Sequence, residues 1–409
     1  MKRIFSTIVM AACAMAPTDF ARADGLGDSR FAVRGFGTLG AMTHDTDGIE
    51  FRRNIGQAHG AESGEIDFGT DSIAGVQFDA RLASKFDVVL QGVSRQRADG
   101  DWAPQVTQGF VRWSPDDSFV VRAGRVGYDI YLLAESRQVG YSYLAVRPSP
   151  EFYGQITNDD IDGGDISFTR RVGRALVRAR AFGGAGSGEL AFADGSESKT
   201  HGDVYGATLD YIWRGWTARI AYVQFNYDAG QQVPLLVGAL RATQFPSAVA
   251  VADDLDHKVY TSNGVQIGFA YDDGPVLAQV MYGAVTSDSL AGPNFDKFYG
   301  LYGYHFGKFT PFVAFASSRD RDAIRDAGLP GIPQLAPLNA AVVALQKATR
   351  STQHTTSVGV RYDFTPHFDL KLQIDRLDLT DSSIILDHRQ VPGGPADLTV
   401  IAAAVDFVF

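Results

Sequence analysis

Phe368-Asp369-Leu370-Lys371-Leu372-Gln373-Ile374-Asp375 alternates without a break: Phe368, Leu370, Leu372 and Ile374 are apolar, and the residues between them are charged or amide. Successive side chains of a strand point to opposite faces, so the stretch predicts a strand with one greasy and one charged face. The same alternation spreads outward from it. Thr356, Val358, Val360, Tyr362 and Phe364 oppose Ser357, Gly359, Arg361 and Asp363. Val265, Ile267, Phe269 and Tyr271 oppose Gln266, Gly268 and Ala270, and Trp216, Ala218, Ile220 and Tyr222 oppose Thr217, Arg219 and Ala221. Ala175, Val177, Ala179 and Ala181 oppose Arg174, Arg178 and Arg180, with Leu176 as the exception. A helical period appears in two short segments, 234–243 and 338–349, both inside long connections.

The connections alternate too. Short turns fall at 84–85, 114–117, 172–173, 213–215, 272–275, 307–308 and 365–367. Long connections fall at 43–72, 97–104, 126–161, 184–201, 226–262, 286–297, 318–353 and 379–395. Between them lie sixteen strands, from near Phe31 to Phe409. Tight turns at one end and long loops at the other are the layout of an all-β transmembrane antiparallel barrel. Strands of roughly 9–11 residues suit a tilted crossing of a bilayer. In lipid every backbone N–H and C=O needs a partner, so a spanning sheet must close on itself. Trp113, Tyr211, Trp216, Tyr271, Phe306, Phe309, Phe364 and Phe368 flank the short turns, where a membrane interface places aromatics. A soluble β-sandwich would explain the alternation but seldom uses so many strands.

Composition agrees. The 409 residues are 45% hydrophobic and 21% charged, with 44 Gly, 27 Phe, 16 Tyr and 4 Trp, which excludes a disordered chain. A net charge of -10 argues against a nucleic-acid partner. Lys2 and Arg3, an apolar run over 4–16 and Ala21-Arg22-Ala23 read as a cleaved secretory signal over 1–23, leaving 24–409 as the barrel domain. The single cysteine, Cys13, lies inside that signal, so the exported chain has no disulfide, thiolate metal site or cysteine nucleophile.

The last residues, Val405-Asp406-Phe407-Val408-Phe409, resemble the C-terminal signal of bacterial outer-membrane barrels. Gln108-Gly109-Phe110-Val111-Arg112-Trp113, a turn, then Val120-Val121-Arg122-Ala123-Gly124-Arg125 resembles the stretch before the constriction loop of the Gram-negative outer-membrane general porins. That resemblance implies a sixteen-stranded, trimeric barrel in the cell outer membrane. It also implies passive diffusion of small hydrophilic solutes and ions, with no cofactor and no enzymatic activity. Its implied partners are outer-membrane lipid, lipopolysaccharide and the barrel-assembly machinery, which would read Phe409. The third outer loop would fold into the lumen.

That loop would be residues 126–161, carrying Asp129, Glu135, Glu151, Asp159 and Asp160. Its Tyr128, Tyr131, Leu132, Leu133, Tyr141, Tyr143, Leu144, Val146, Phe152 and Tyr153 are too apolar for a free tether and predict packing inside the barrel. By parity the inward face carries Arg34, Arg81, Arg112, Arg122, Arg178, Arg180, Arg219, Arg361 and Lys371. The resemblance places its basic wall on the early strands, so Arg34, Arg81, Arg112 and Arg122 lead, with Arg178 and Arg180 behind them. Acids on the loop would face these cations across water and set selectivity.

Three other patterns are weighed and set aside. Gly35-Phe36-Gly37-Thr38-Leu39-Gly40 has the glycine spacing of a dinucleotide loop, but it lies inside a strand with no helix after it. The carboxylates of Asp159, Asp160 and Asp162 form a weak cation site without the full calcium-loop pattern. No His-x-x-x-His pair and no Gly-x-Ser-x-Gly elbow supports a hydrolase. The alternatives to a diffusion porin are a substrate-selective channel on the same barrel and, behind it, a loop-mediated adhesin or receptor.

Overall fold

The computed structural model describes residues 30–156, 158–228, 232–389 and 394–409, so the signal segment and Cys13 lie outside the described residues. Sixteen strands form one barrel. They are β1 (Phe31–His44), β2 (Ile73–Ala83), β3 (Phe86–Arg95), β4 (Gln105–Trp113), β5 (Phe119–Gly127), β6 (Asp160–Val172), β7 (Ala175–Ala191) and β8 (Glu197–Trp213). They continue as β9 (Trp216–Asp228), β10 (Val259–Asp273), β11 (Val276–Ser287), β12 (Phe295–Tyr304), β13 (Phe309–Asp320), β14 (Ser351–Thr365), β15 (Phe368–Ser382) and β16 (Ala396–Val408). Each pairs antiparallel with its chain neighbours, and β1 closes the barrel on β16. Closure leaves no sheet edge to satisfy.

The closing seam runs from Phe36 opposite Val408 to His44 opposite Val400. Phe409 extends it: its N–H donates to the Gly35 carbonyl at 2.9 Å, and the Gly35 N–H donates back at 3.0 Å. The Phe409 ring fills the space that a side chain at Gly35 would need.

Parity decides the two faces. Phe368, Leu372 and Ile374 are exposed outward, while Asp369, Lys371, Gln373 and Asp375 are buried inward. Leu39, Val76, Leu90, Ile166, Leu209, Ile220, Ile267, Val313 and Ile401 continue the exposed apolar belt on other strands. An exposed band of this extent on a folded chain belongs against lipid. Aromatic pairs link neighbouring strands at the short-turn end. Trp216 lies 4.7 Å from Tyr271 and Phe309 4.6 Å from Tyr362. Toward the long-loop end the outward face turns polar, with Arg376 paired to Asp397 at 3.0 Å and His354 beside Asp378 at 2.8 Å.

One expected loop is different. The connection expected at 184–201 is largely strand: Ala185 pairs with Asp203 and the ladder continues to Ala191 opposite Glu197. The glycine run Gly183, Gly184, Gly186 and Gly188 reads as loop from composition. With tall partners opposite, such as Tyr205 beside Gly183, it forms an extended hairpin instead. The two expected helical segments are α2 (Gln232–Ala242) and α4 (Ala336–Lys347), following the single turn α1 (Pro150–Tyr153). A further helix, α3 (Pro246–Leu255), starts at a proline, a favoured first helical position. Leu240, Ala252, Leu255, Ala327 and Val342 give these helices their own buried core at the long-loop end.

Candidate functional site

Residues 128–156 and 158–159 enter the barrel. Tyr128, Tyr131, Leu132, Leu133, Tyr143, Leu144, Phe152 and Tyr153 are buried in one cluster with Phe110, Phe182, Val223, Met281, Tyr299 and Phe312 of the wall. Those wall residues come from β4 round to β13, so the loop crosses the lumen. Tyr131 meets Phe152 and Tyr153 edge-on, with centroids 4.7 and 5.3 Å apart. Burying each such side chain is worth about 1.5–3 kcal/mol, enough to hold the segment inside.

Charge fixes the loop at three places. At its start, a continuous network runs along the wall. Arg122 on β5 pairs with Glu135 at 2.7 Å and Asp165 at 2.8 Å. Arg180 on β7 pairs with the same two acids at 2.9 Å and lies 3.5 Å from Asp129. Arg219 on β9 pairs with Asp129 at 2.5 Å and Asp210 at 2.6 Å, and Arg178 reaches Asp210 at 2.8 Å.

At the far side, the Lys371 ammonium donates to the Gly140 carbonyl at 2.7 Å and pairs with Asp406 at 2.9 Å. Gly140 fits against Thr38 and Asp406 only because it lacks a side chain. Farther along, Arg147 donates to Asp71 at 2.6 Å and Asp375 at 2.8 Å, all three side chains being at most 4% exposed.

The predicted residues therefore separate into groups. Arg122 and Arg180 meet Asp129 and Glu135 in direct ion pairs rather than across a water-filled gap, because the loop packs flush on β5 to β9. Arg34 pairs with Asp79 at 3.0 Å, while Arg81 and Arg112 flank Asp87 at 3.7 and 2.8 Å, all at the short-turn end. Glu151 is buried, accepting from Ser149 at 2.8 Å, Gln353 at 2.9 Å and Thr355. Asp159 lies between Arg95 and Arg137. Asp160 and Asp162 pair with Arg125 at 3.3 and 2.7 Å. Among the described residues no three His, Cys, Asp or Glu converge as a metal site. Sequence reasoning missed Arg53, Arg95, Arg97, Arg137 and Arg147. Four of these, all but Arg95, stand on loops, where strand parity gives no signal.

The loop does not fill the lumen evenly. Inward residues of β8 to β16, such as Asp210, Arg219, Gln266, Thr310, Asp369 and Lys371, are at most 3% exposed. On β1 to β5 the inward face is mixed: toward the short-turn end Arg34 is 42% exposed and Arg81 62%, with Gln77, Gln108 and Arg112 partly exposed, while Phe36, Ile73 and Val93 are buried against Val139 of the loop and Thr38, Asp79 and Gln91 are buried too. These partly exposed polar side chains, with the partly exposed Glu135 and Arg95 nearer the long loops, mark a polar seam on that wall.

No protein-family model matches the sequence, and no curated protein matches it. Solved structures do match in fold. OmpF of Salmonella typhi, solved with daunomycin, superposes with a TM-score of 0.54 at 14% identity, over 93% of this chain and 97% of that one. The outer-membrane channel DcaP of Acinetobacter baumannii gives 0.52 at 10% identity over 93% and 97%. An anion-selective porin from Comamonas acidovorans gives 0.51 at 11% over 93% and 100%. Across nearly its whole described length, then, the chain has the sixteen-stranded barrel fold of the general porins, with the third outer loop folded into the lumen.

Proposed function

We propose that this protein is an outer-membrane channel for passive diffusion of small hydrophilic solutes and ions, without enzymatic activity. The observation that carries the reading is the line of partly exposed polar side chains on the inward face of β1 to β5, in a barrel whose third outer loop packs across the lumen. Arg34, Arg81, Arg112 and Arg122 border that seam from the wall, and Glu135 borders it from the loop. Rings and lines of charge at a constriction select among solutes. Export through the 1–23 signal, assembly read at Phe409 and trimerisation in a lipopolysaccharide-bearing membrane belong to the same reading.

A second reading, a substrate-selective channel on this barrel, is favoured by one fact: the loop packs on wall residues from β4 round to β13 and, through Val139, on β1, β2 and β3, which narrows any route through the lumen. Liposome swelling tests both. Uptake of sugars, amino acids and dicarboxylates graded by size supports the diffusion channel. Uptake of one class alone supports selectivity, and absence of swelling with correctly inserted protein removes both.

A further inference from the structure

At the long-loop end of the seam lies a cavity of about 350 Å³. Five arginines line it, Arg53, Arg95, Arg97, Arg125 and Arg137, against Asp159, Asp160 and Glu189; Asp162 and Asp99 pair with Arg125 and Arg97 from outside the lining, so any positive excess is local to Arg53, Arg95 and Arg137. Arg95 and Arg137 share the one carboxylate of Asp159. Arg53 donates to the Arg137 carbonyl at 2.8 Å and the Tyr143 hydroxyl at 3.2 Å, both neutral acceptors, and has no carboxylate partner among the described residues. Burial favours the neutral acid at Asp159, but Arg95, Arg137 and Arg53 together outweigh it and hold the carboxyl below its usual range. The three cations therefore surround one anion and still project a positive field into the cavity.

Two polar atoms of the lining are buried without a partner among the described residues: Gln138 Oε1, on a residue only 8% exposed, and Arg97 Nε. Buried polar groups are normally paired, and an orphaned acceptor beside excess positive charge points to a bound molecule that both donates and is anionic. The planar guanidinium fork matches a carboxylate. Asp160 and Glu189 in the same lining disfavour a more highly charged ligand. We infer that this cavity is a binding site for a small hydroxylated monocarboxylate, whose carboxylate sits on Arg53 and Arg137 and whose hydroxyl donates to Gln138. The site deepens the channel reading, on which its role in uptake rests, by naming an entry point that concentrates such solutes before the narrow seam.

Binding can be measured apart from conduction. Calorimetric titration of the detergent-solubilised barrel with sodium gluconate at low salt is expected to show saturable binding, one per chain. Glucose, the neutral analogue, is expected to show none. Arg53→Ala removes a charge-assisted hydrogen bond at a partly exposed position and should weaken binding about tenfold. Gln138→Leu should weaken gluconate binding while leaving acetate, which has no hydroxyl, unchanged. Absence of saturable heat with gluconate overturns the site. So does equal affinity in Arg53→Ala, binding of glucose, or tighter binding of inorganic phosphate. Conductance of the same preparation reports separately on the channel, so failure of one reading is distinguishable from failure of the other.

Discussion

Replacing Arg147 with alanine should release the inward loop. The guanidinium is held between Asp71 and Asp375 and lies over the Phe51 ring at 5.1 Å. Removing it leaves two carboxylates, at most 4% exposed, with no cation. Removing one partner of a buried ion pair is worth about 3–5 kcal/mol, mostly the uncompensated charge left behind. At about 4 kcal/mol the ratio of docked to released loop falls roughly a thousandfold. The barrel wall, with its own ladders, should survive. Single-channel recording is expected to show larger or flickering steps, and the folded form should be lost at a lower temperature on an unheated gel. Arg147→Met combined with Asp71→Asn and Asp375→Asn removes the stranded charges and should restore much of the lost stability. Wild-type conductance and thermal stability in a folded Arg147→Ala barrel would refute the argument that this buried pair holds the loop.

Deleting Phe409, or introducing Gly35→Val, should lower the yield of folded barrel, because both disrupt the last pairing of β1 with the chain end; normal insertion of either at native expression counts against it. Arg112→Ala with Arg122→Ala should shift selectivity toward cations, since Asp87, Glu135 and Asp165 each lose one of the two arginines beside them, and reversal potentials in a salt gradient at low ionic strength read the shift. Shortening residues 136–149 removes the Gly140 and Arg147 anchors together and should raise single-channel conductance and admit larger sugars; unchanged conductance in a folded deletion would place the loop outside the conducting path.

The barrel was legible in residues such as Ile374 and Asp375, because a period of two against lipid leaves each strand only one register that keeps charge inside. The wall cations Arg122, Arg178, Arg180 and Arg219 were legible for the same reason. Their pairing was not: whether Arg122 faces water or meets Glu135 depends on how the loop lies, and no period records that. Arg53, Arg137 and Arg147 were invisible to parity because they stand outside the strands, and no local pattern links them to their partners: Asp159 is 22 residues from Arg137, Tyr143 is 90 from Arg53 and Asp375 is 228 from Arg147. The extended hairpin of β7 and β8 was misread because glycine signals a turn in composition, while in a ladder it admits a neighbouring ring such as Tyr205. Helix α3 was not expected within the connection 226–262 because the uninterrupted apolar run Ala248-Val249-Ala250-Val251-Ala252 shows no helical period, and its packing against α2 appears only in the fold.

A channel of this build must conduct along the polar inward side chains of β1 to β5. Purified barrel added to a planar bilayer in potassium chloride tests it most directly. Discrete, ohmic steps are expected, reduced when a bulky side chain is placed on the seam by Gln77→Trp. Stable insertion of folded protein without steps, or steps indifferent to Gln77→Trp, would contradict it.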